Sequence, residues 1–174
     1  MSEPISFRSA HRGDATALWR LVQSTGTLEL NTPYFYLSFA EFFGDTCLVA
    51  IQEEQLVGGV IAFRLPRRPE VLFVWQIGVL PSARRQGLAK RMLNHLIELP
   101  GCADVRFVQA TITDDNAASQ RLFQSFAENL NVPCVREEFF TADLFPNSHD
   151  AEDSYLIGPL THDHESSDLQ GAVT

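Results

Sequence analysis

The tightest constraint on the fold lies in residues 71–99. The apolar run Val71-Leu72-Phe73-Val74-Trp75-Gln76-Ile77-Gly78-Val79-Leu80 stops at Pro81. The basic loop Ser82-Ala83-Arg84-Arg85-Gln86-Gly87 follows, and then Leu88, Met92, Leu93, Leu96 and Leu99 recur at helical spacing. The run predicts a buried strand and the stripe predicts an amphipathic helix over 85–99. A strand of that kind needs a sheet, and the helix needs a face of the sheet to cover. Small side chains at Gly87 and Ala89 let a ligand approach the backbone. Free amides at a helix start, aligned with the helix dipole, form an anion site. The segment lacks Gly-Lys-Ser/Thr and Gly-x-Gly-x-x-Gly, so it is neither a nucleotide P-loop nor a dinucleotide fingerprint. On spacing alone, an ordinary basic loop before a helix is the alternative.

Charge adds meaning to that loop. The chain has 174 residues with 13 Lys and Arg against 22 Asp and Glu, a net charge of −9. Such a balance repels phosphate backbones and argues against general nucleic-acid or anionic-membrane binding. A local basic reversal is still suited to a pyrophosphate. With 45% apolar and 20% charged residues the chain can build a core of ordinary size. No apolar run approaches membrane-spanning length, and residues 1–4 do not read as a secretory signal. Cys47, Cys102 and Cys134 lack the close spacing of a zinc site, so no metal is expected. They read as structural thiols in a reducing cytoplasm.

The rest of the chain alternates between strand and helix patterns. Strands are expected over 5–8, 46–52, 56–65, 71–80, 105–113, 135–140 and 154–157, with a hairpin turn at Glu53-Glu54-Gln55 and a loop at 66–69. Helices are expected over 14–24, with Asp14 as cap, over 85–99 and over 116–130. Thr32-Pro33 opens the aromatic segment 34–43, which can pack within the chain or against a partner. Residues 142–152 read as a loop. One α/β domain is expected over 1–160. Residues 161–174 read as a disordered acidic tail, whose His162-x-His164 is a weak metal pattern.

Arg84-x-x-Gly87-x-Ala89 matches the Q/R-x-x-G-x-G/A motif, so the chain resembles the GNAT acyltransferase superfamily. The resemblance implies the GNAT fold, a mixed central sheet of about six to seven strands flanked by helices. It implies acetyl-CoA as co-substrate, with its pyrophosphate on the backbone of Arg85, Gln86, Gly87, Leu88 and Ala89 beside Arg84. It implies a splayed strand at Ile77, Gly78 and Val79 that pairs with the pantetheine arm and offers an oxyanion donor. Asn116, at the start of the following helix, is implied to contact pantetheine. Phe123 stands where many members carry a tyrosine that protonates the leaving thiolate, and phenylalanine has no proton to give. The resemblance therefore implies packing of Phe123 against the pantetheine arm, and leaves water or Ser119 as proton source. A thiol with a pKa of about 8.5 leaves tolerably as thiolate.

Three further blocks are similar to the L-2,4-diaminobutyrate acetyltransferases of ectoine biosynthesis. They are Thr25-Gly26-Thr27-Leu28-Glu29-Leu30-Asn31, Phe73-Val74-Trp75-Gln76, and Phe140-Thr141 with Leu144-Phe145-Pro146. That family acetylates the γ-amine of L-2,4-diaminobutyrate, giving the precursor of a compatible solute made under osmotic stress. The resemblance also implies a homodimer. A small diamine arrives as a cation, so carboxylates and aromatic faces are the expected site residues. The candidates are Glu29, Asn31, Tyr34, Tyr36, Trp75 and Glu152 for substrate. Trp75 is expected to share its strand face with Ile77 and Val79. Glu152, assisted by His149, is expected to bind or deprotonate the amine from the late loop. Plain packing or solvated positions remain the alternative for each of these residues. For the whole chain, the alternatives are a GNAT enzyme for another small amine and a non-catalytic acyl-CoA sensor.

Overall fold

The computed structural model describes residues 3–161. The expected tail over 161–174 and its His162-x-His164 pair lie outside these residues, apart from Thr161. In chain order the elements are β1 (Ser6–Ser9), α1 (Ala15–Thr25), α2 (Pro33–Phe42), β2 (Leu48–Gln52), β3 (Gln55–Leu65), β4 (Arg68–Val79), α3 (Leu88–Ile97), β5 (Phe107–Thr113), α4 (Ala117–Leu130), β6 (Cys134–Phe140) and β7 (Glu152–Ile157). The strands form one seven-stranded sheet in the order β1-β2-β3-β4-β5-β7-β6. Only the β4–β5 pair is parallel. The connection between those two strands passes through α3, as a parallel crossover requires.

Strand periodicity sorts the core into two layers. Val49 and Ile61 pack with Leu18, Leu21 and Tyr36 beneath α1 and α2. Their neighbours Leu48, Ala50 and Val60 face the other way, into a cluster with Met92, Leu93 and Leu96 of α3 and Phe123 and Phe126 of α4. Met92, Leu93 and Leu96 are fully buried, each contributing roughly 2–3 kcal/mol by burial. That stripe fixes the position of the α3 N-terminus relative to the sheet.

Several expected boundaries move for physical reasons. The loop expected over 66–69 is a tight turn, with β3 ending at Leu65 and β4 beginning at Arg68. Glu53 and Glu54 both take positive φ, 49° and 62°, as a two-residue hairpin turn demands. Asp14 does not cap α1. Its carboxylate accepts two bonds of 2.8 Å from Arg8 and one of 2.9 Å from the His11 amide. Burial acts to raise the Asp14 pKa, but the Arg8 guanidinium and the His11 amide together hold it below the ordinary value.

The three thiols are free. Cys47 and Cys102 are fully buried, and burial pushes their pKa values up to about 12 and about 11. Neither is a nucleophile at neutral pH.

Candidate active site

The basic loop ahead of α3 is not helical. α3 begins at Leu88, three residues later than periodicity suggests, because Arg85 (φ 63°) and Gly87 (φ 66°) are left-handed. Nothing lies within 4 Å of a Cβ built on Gly87, so glycine serves the backbone angle there and not the space. A left-handed Gly87 followed by helical Leu88 points successive amides into one concavity, a nest for anions. The first backbone bond of the helix runs from the Arg91 amide to the Gly87 carbonyl, so the amides ahead of Arg91 stay outside the helical ladder. Leu88 roots the nest with a buried side chain, and Ala89 keeps its wall low.

Arg84 lines the cleft and is also tied to the protein. Its guanidinium reaches back to the Val79 carbonyl (3.4 Å) and the Thr25 carbonyl (3.2 Å), tying the loop to β4 and α1. Arg85, Lys90 and Arg121 line the cleft with it. The cleft, about 480 Å³, is walled by Gly87 and Leu88 on one side and by Ala118, Arg121, Leu122 and Ser125 of α4 on the other.

The cleft leads to a parting of the sheet. β4 and β5 pair only at Val71–Phe107, Leu72–Val108 and Phe73–Gln109, although both strands continue beyond. The Leu80 amide donates to the Val57 carbonyl at 2.9 Å in the β3–β4 ladder. Antiparallel alternation then turns the Gly78 and Gln76 amides toward β3, and the Ile77 and Val79 amides into the gap. The two outward amides are the candidate oxyanion and pantetheine donors. Gly78 is corrected from that role. Its Cα lies against α1 and the loop after it, where a Cβ would meet Leu28 Cδ1 at 3.3 Å.

A bulge alters the face of Trp75. Gln76 pairs with Ile61 and Val74 with Ala62, so Trp75 is the extra residue. Ile77 and Val79 pack with the α3–α4 cluster. Trp75 instead joins Phe35, Phe39 and Phe73 on the α2 side, with ring centroids 5.7–6.5 Å apart. The expected shared face with Ile77 and Val79 is therefore lost, because the bulge breaks the period of two. Trp75 stays 48% exposed, so its indole is open to a ligand.

Tyr36 and Tyr34 part company. Tyr36 is fully buried and donates to Gln76 Oε1 at 3.0 Å. It is not open to a substrate. Gln76 Nε2 in turn donates to the Glu29 carbonyl at 2.6 Å, which fixes the loop carrying Glu29 and Asn31 against β4. Tyr34 is 74% exposed at the start of α2. Glu29 is exposed, and Asn31 Nδ2 is buried with no protein acceptor. A buried donor left unmet costs about 1–3 kcal/mol, which favours a ligand acceptor there. Gln76 escaped the sequence reading, although a lone amide inside an apolar strand run was its signal.

Glu152 opens β7 instead of lying in the late loop. It pairs with Thr113, the last residue of β5, and with Phe140 of β6. Tyr155 and Ile157 pack in the α3–α4 cluster, so Glu152 and Ser154 turn to the opposite face, the one Trp75 and Gln76 share. His149 is brought to it, with Nε2 3.7 Å from Glu152 Oε1 and the ring stacked on Phe145 at 4.0 Å. His149 Nδ1 lies 2.6 Å from the Asp150 carbonyl, to which it donates, and this bond orients the ring with Nε2 toward Glu152.

Asn116 caps α4 by accepting from the Ser119 amide at 3.1 Å. Phe123 lies 3% exposed within the core. Among the described residues no group of three His, Cys, Asp or Glu side chains is placed to hold a metal, and no helix is long and apolar enough to cross a membrane.

Comparison with known proteins gives consistent likenesses. The Acetyltransferase (GNAT) family model matches residues 15–127. An L-2,4-diaminobutyric acid acetyltransferase from Halalkalibacterium halodurans is 47% identical over 148 residues, covering 84% of this chain and 78% of that one. One from Marinococcus halophilus is 44% identical over 149 residues, covering 85% and 86%. Diaminobutyrate acetyltransferase EctA from Paenibacillus lautus was solved in complex with its substrate L-2,4-diaminobutyric acid and coenzyme A. It superposes with a TM-score of 0.87 at 41% identity, over 95% of this chain and all of that one.

Proposed function

The chain belongs to the Acetyltransferase (GNAT) family and, within it, to the L-2,4-diaminobutyric acid acetyltransferases; from that premise we propose that it moves acetyl from acetyl-CoA to the γ-amine of L-2,4-diaminobutyrate. The product is Nγ-acetyl-L-2,4-diaminobutyrate, the precursor of ectoine, which protects against osmotic stress. One observation carries the choice of substrate: the likeness to the Paenibacillus lautus enzyme, solved with both ligands, over 95% of the chain.

The chemistry follows from the two faces of the gap. An alkyl ammonium like that of lysine has a pKa of about 10.4, so at neutral pH roughly one amine in a few thousand is free to attack. Glu152 takes the proton, directly or through one water, and His149 Nε2 stands 3.7 Å from its carboxylate. The amine nitrogen attacks the thioester carbon. The C–N bond forms and the carbonyl electrons move to oxygen, where the Ile77 or Val79 amide meets the charge. Collapse breaks the C–S bond. The nitrogen, which carries one proton too many for an amide, releases it to water, and water returns a proton to the departing thiolate, because Phe123 offers none. The Glu29 carboxylate and the faces of Trp75 and Tyr34 hold the ammonium that does not react, and Asn31 Nδ2 donates to the substrate. The nest from Arg85 to Ala89 holds the pyrophosphate, and Asn116 and Ser119 border the pantetheine arm.

Release of free thiol from acetyl-CoA tests this reading. The panel is L-2,4-diaminobutyrate, ornithine, lysine, putrescine and no amine, with product mass read alongside. L-2,4-diaminobutyrate is expected to lead by at least about tenfold in kcat/KM, roughly 1.4 kcal/mol of discrimination, with one acetyl on the γ-nitrogen. Equal or better turnover of another amine would remove the substrate assignment and keep the acetyltransferase. CoA binding without turnover of any amine would favour an acyl-CoA sensor.

A homodimer belongs to the same reading. Val135 and Phe139 of the edge strand β6, and Leu144 after it, are 46%, 47% and 63% exposed. An unpaired apolar edge of this kind is a surface that soluble chains normally cover. Sedimentation velocity at micromolar concentration should give twice the 19.5 kDa chain mass. A single species at the chain mass would discard the dimer. Three free thiols favour a reducing cytoplasm.

A further inference from the structure

Two cations of the cleft, Lys90 from one wall and Arg121 from the other, face no anionic partner. Arg121 lines the cleft and makes no ion pair or hydrogen bond among the described residues. Lys90, at the start of α3, crosses to α4 and donates to Ser125 Oγ at 3.2 Å. Arg121 and Ser125 stand four residues apart on one helix face, so the bond that anchors Lys90 brings its ammonium to the helix face that carries Arg121, and all three line the cleft. No Asp or Glu lines the cleft. Two like charges held together across a helix–helix contact repel each other unless an anion lies between them. In a chain of net charge −9, that arrangement points to a ligand.

The nest is not that ligand's only holder. Its amides already match a pyrophosphate, and they lie across the cleft from Arg121. Coenzyme A carries a further phosphate on the 3′ oxygen of its ribose, with a charge of about −1.5 to −2 at neutral pH. We propose that Arg121 and Lys90 form a second phosphate subsite that takes this 3′-phosphate, and that they make the enzyme selective for the 3′-phosphorylated cofactor. The proposal rests on the reading of the cleft as the acetyl-CoA site. Arginine suits the role because its planar fork binds phosphate through two parallel bonds, whereas Lys90 adds a point charge. Sequence spacing held the signal, since Ala118, Arg121, Leu122 and Ser125 fall on one helical stripe.

The test compares acetyl-CoA with acetyl-dephospho-CoA as donors, and CoA with dephospho-CoA by titration calorimetry. Wild type is expected to prefer the 3′-phosphorylated form about tenfold in kcat/KM and in Kd, roughly 1.4 kcal/mol. Arg121→Ala should bring that ratio to within about twofold of unity with kcat little changed, and Arg121→Lys should retain part of it. The preference should also shrink with added salt. Equal use of the two donors by wild type, or an Arg121→Ala variant that weakens both forms alike, would overturn the subsite. Calorimetry reads the subsite without turnover. If no amine is acetylated yet the 3′-phosphate preference is present and falls in Arg121→Ala, the acetyltransfer reading fails and the subsite stands.

Discussion

Replacing Glu152 with glutamine is expected to lower kcat at neutral pH by about 10²–10⁴-fold, the usual worth of a positioned base. The substitution keeps shape and hydrogen-bonding length and removes only the proton acceptor. The backbone pairing of residue 152 with Thr113 and Phe140 does not depend on the side chain. The approach to His149 is long, at 3.7 Å, and partly exposed, so its loss should cost less than about 1 kcal/mol and thermal stability should barely move. A second readout separates proton transfer from binding. Without its base the variant depends on amine that solvent has already deprotonated, so its rate should climb about tenfold per pH unit on the alkaline side. Wild type should level off there. Turnover within a few-fold of wild type at neutral pH would end the base assignment. A loss confined to KM for the diamino acid would make Glu152 a binding residue. His149→Ala is expected to do less than Glu152→Gln, because its Nε2 supports the carboxylate from 3.7 Å and its ring is held by Phe145.

Much of this architecture is legible in the sequence because hydrophobic period reports burial directly. Leu88, Met92, Leu93 and Leu96 announce α3, and the run ending at Leu80 announces β4. The anion loop between them was legible from small residues and arginines. Its geometry was not, since Arg85 takes a left-handed backbone that no residue preference foretells, and α3 starts three residues late as a result. Trp75 departs from the period of two for a related reason. A bulge adds one residue to β4, and every side chain beyond it changes face. The tyrosine pair was recoverable. Residues two apart on a helix do not share a face, so Tyr34 and Tyr36 could not both meet one ligand. The structure buries Tyr36 against Gln76 and exposes Tyr34. The meeting of Glu152 with His149 depends on the turn after Phe145, whose path is set by tertiary contacts, and only the family resemblance pointed to it.

Substituting valine for Gly87 should raise KM for acetyl-CoA by about 100-fold while leaving kcat at saturating cofactor within a few-fold. Gly87 holds φ at 66°, and an L-residue there costs about 1–2 kcal/mol, with a β-branched side chain at the upper end. A Cβ at this site meets nothing within 4 Å, so the protein does not resist by collision. The strain is relieved by turning the residue to negative φ, which swings the Gly87 and Leu88 amides out of the concavity. Hydrogen bonds to a charged phosphate are worth about 1.5–3 kcal/mol each, so losing one or two accounts for the expected factor. The amide groups at Ile77 and Val79 and the acid at Glu152 belong to strands that the change does not touch, which is why kcat should survive. The effect should fall equally on acetyl-CoA and acetyl-dephospho-CoA, because the nest meets the pyrophosphate that both carry. That symmetry separates Gly87 from Arg121, whose loss should be felt only by the 3′-phosphorylated donor. A Gly87→Val enzyme with wild-type KM for acetyl-CoA would show that the cofactor does not use this nest. Gly87→Ala should fall between the two, since alanine tolerates the left-handed region better than valine.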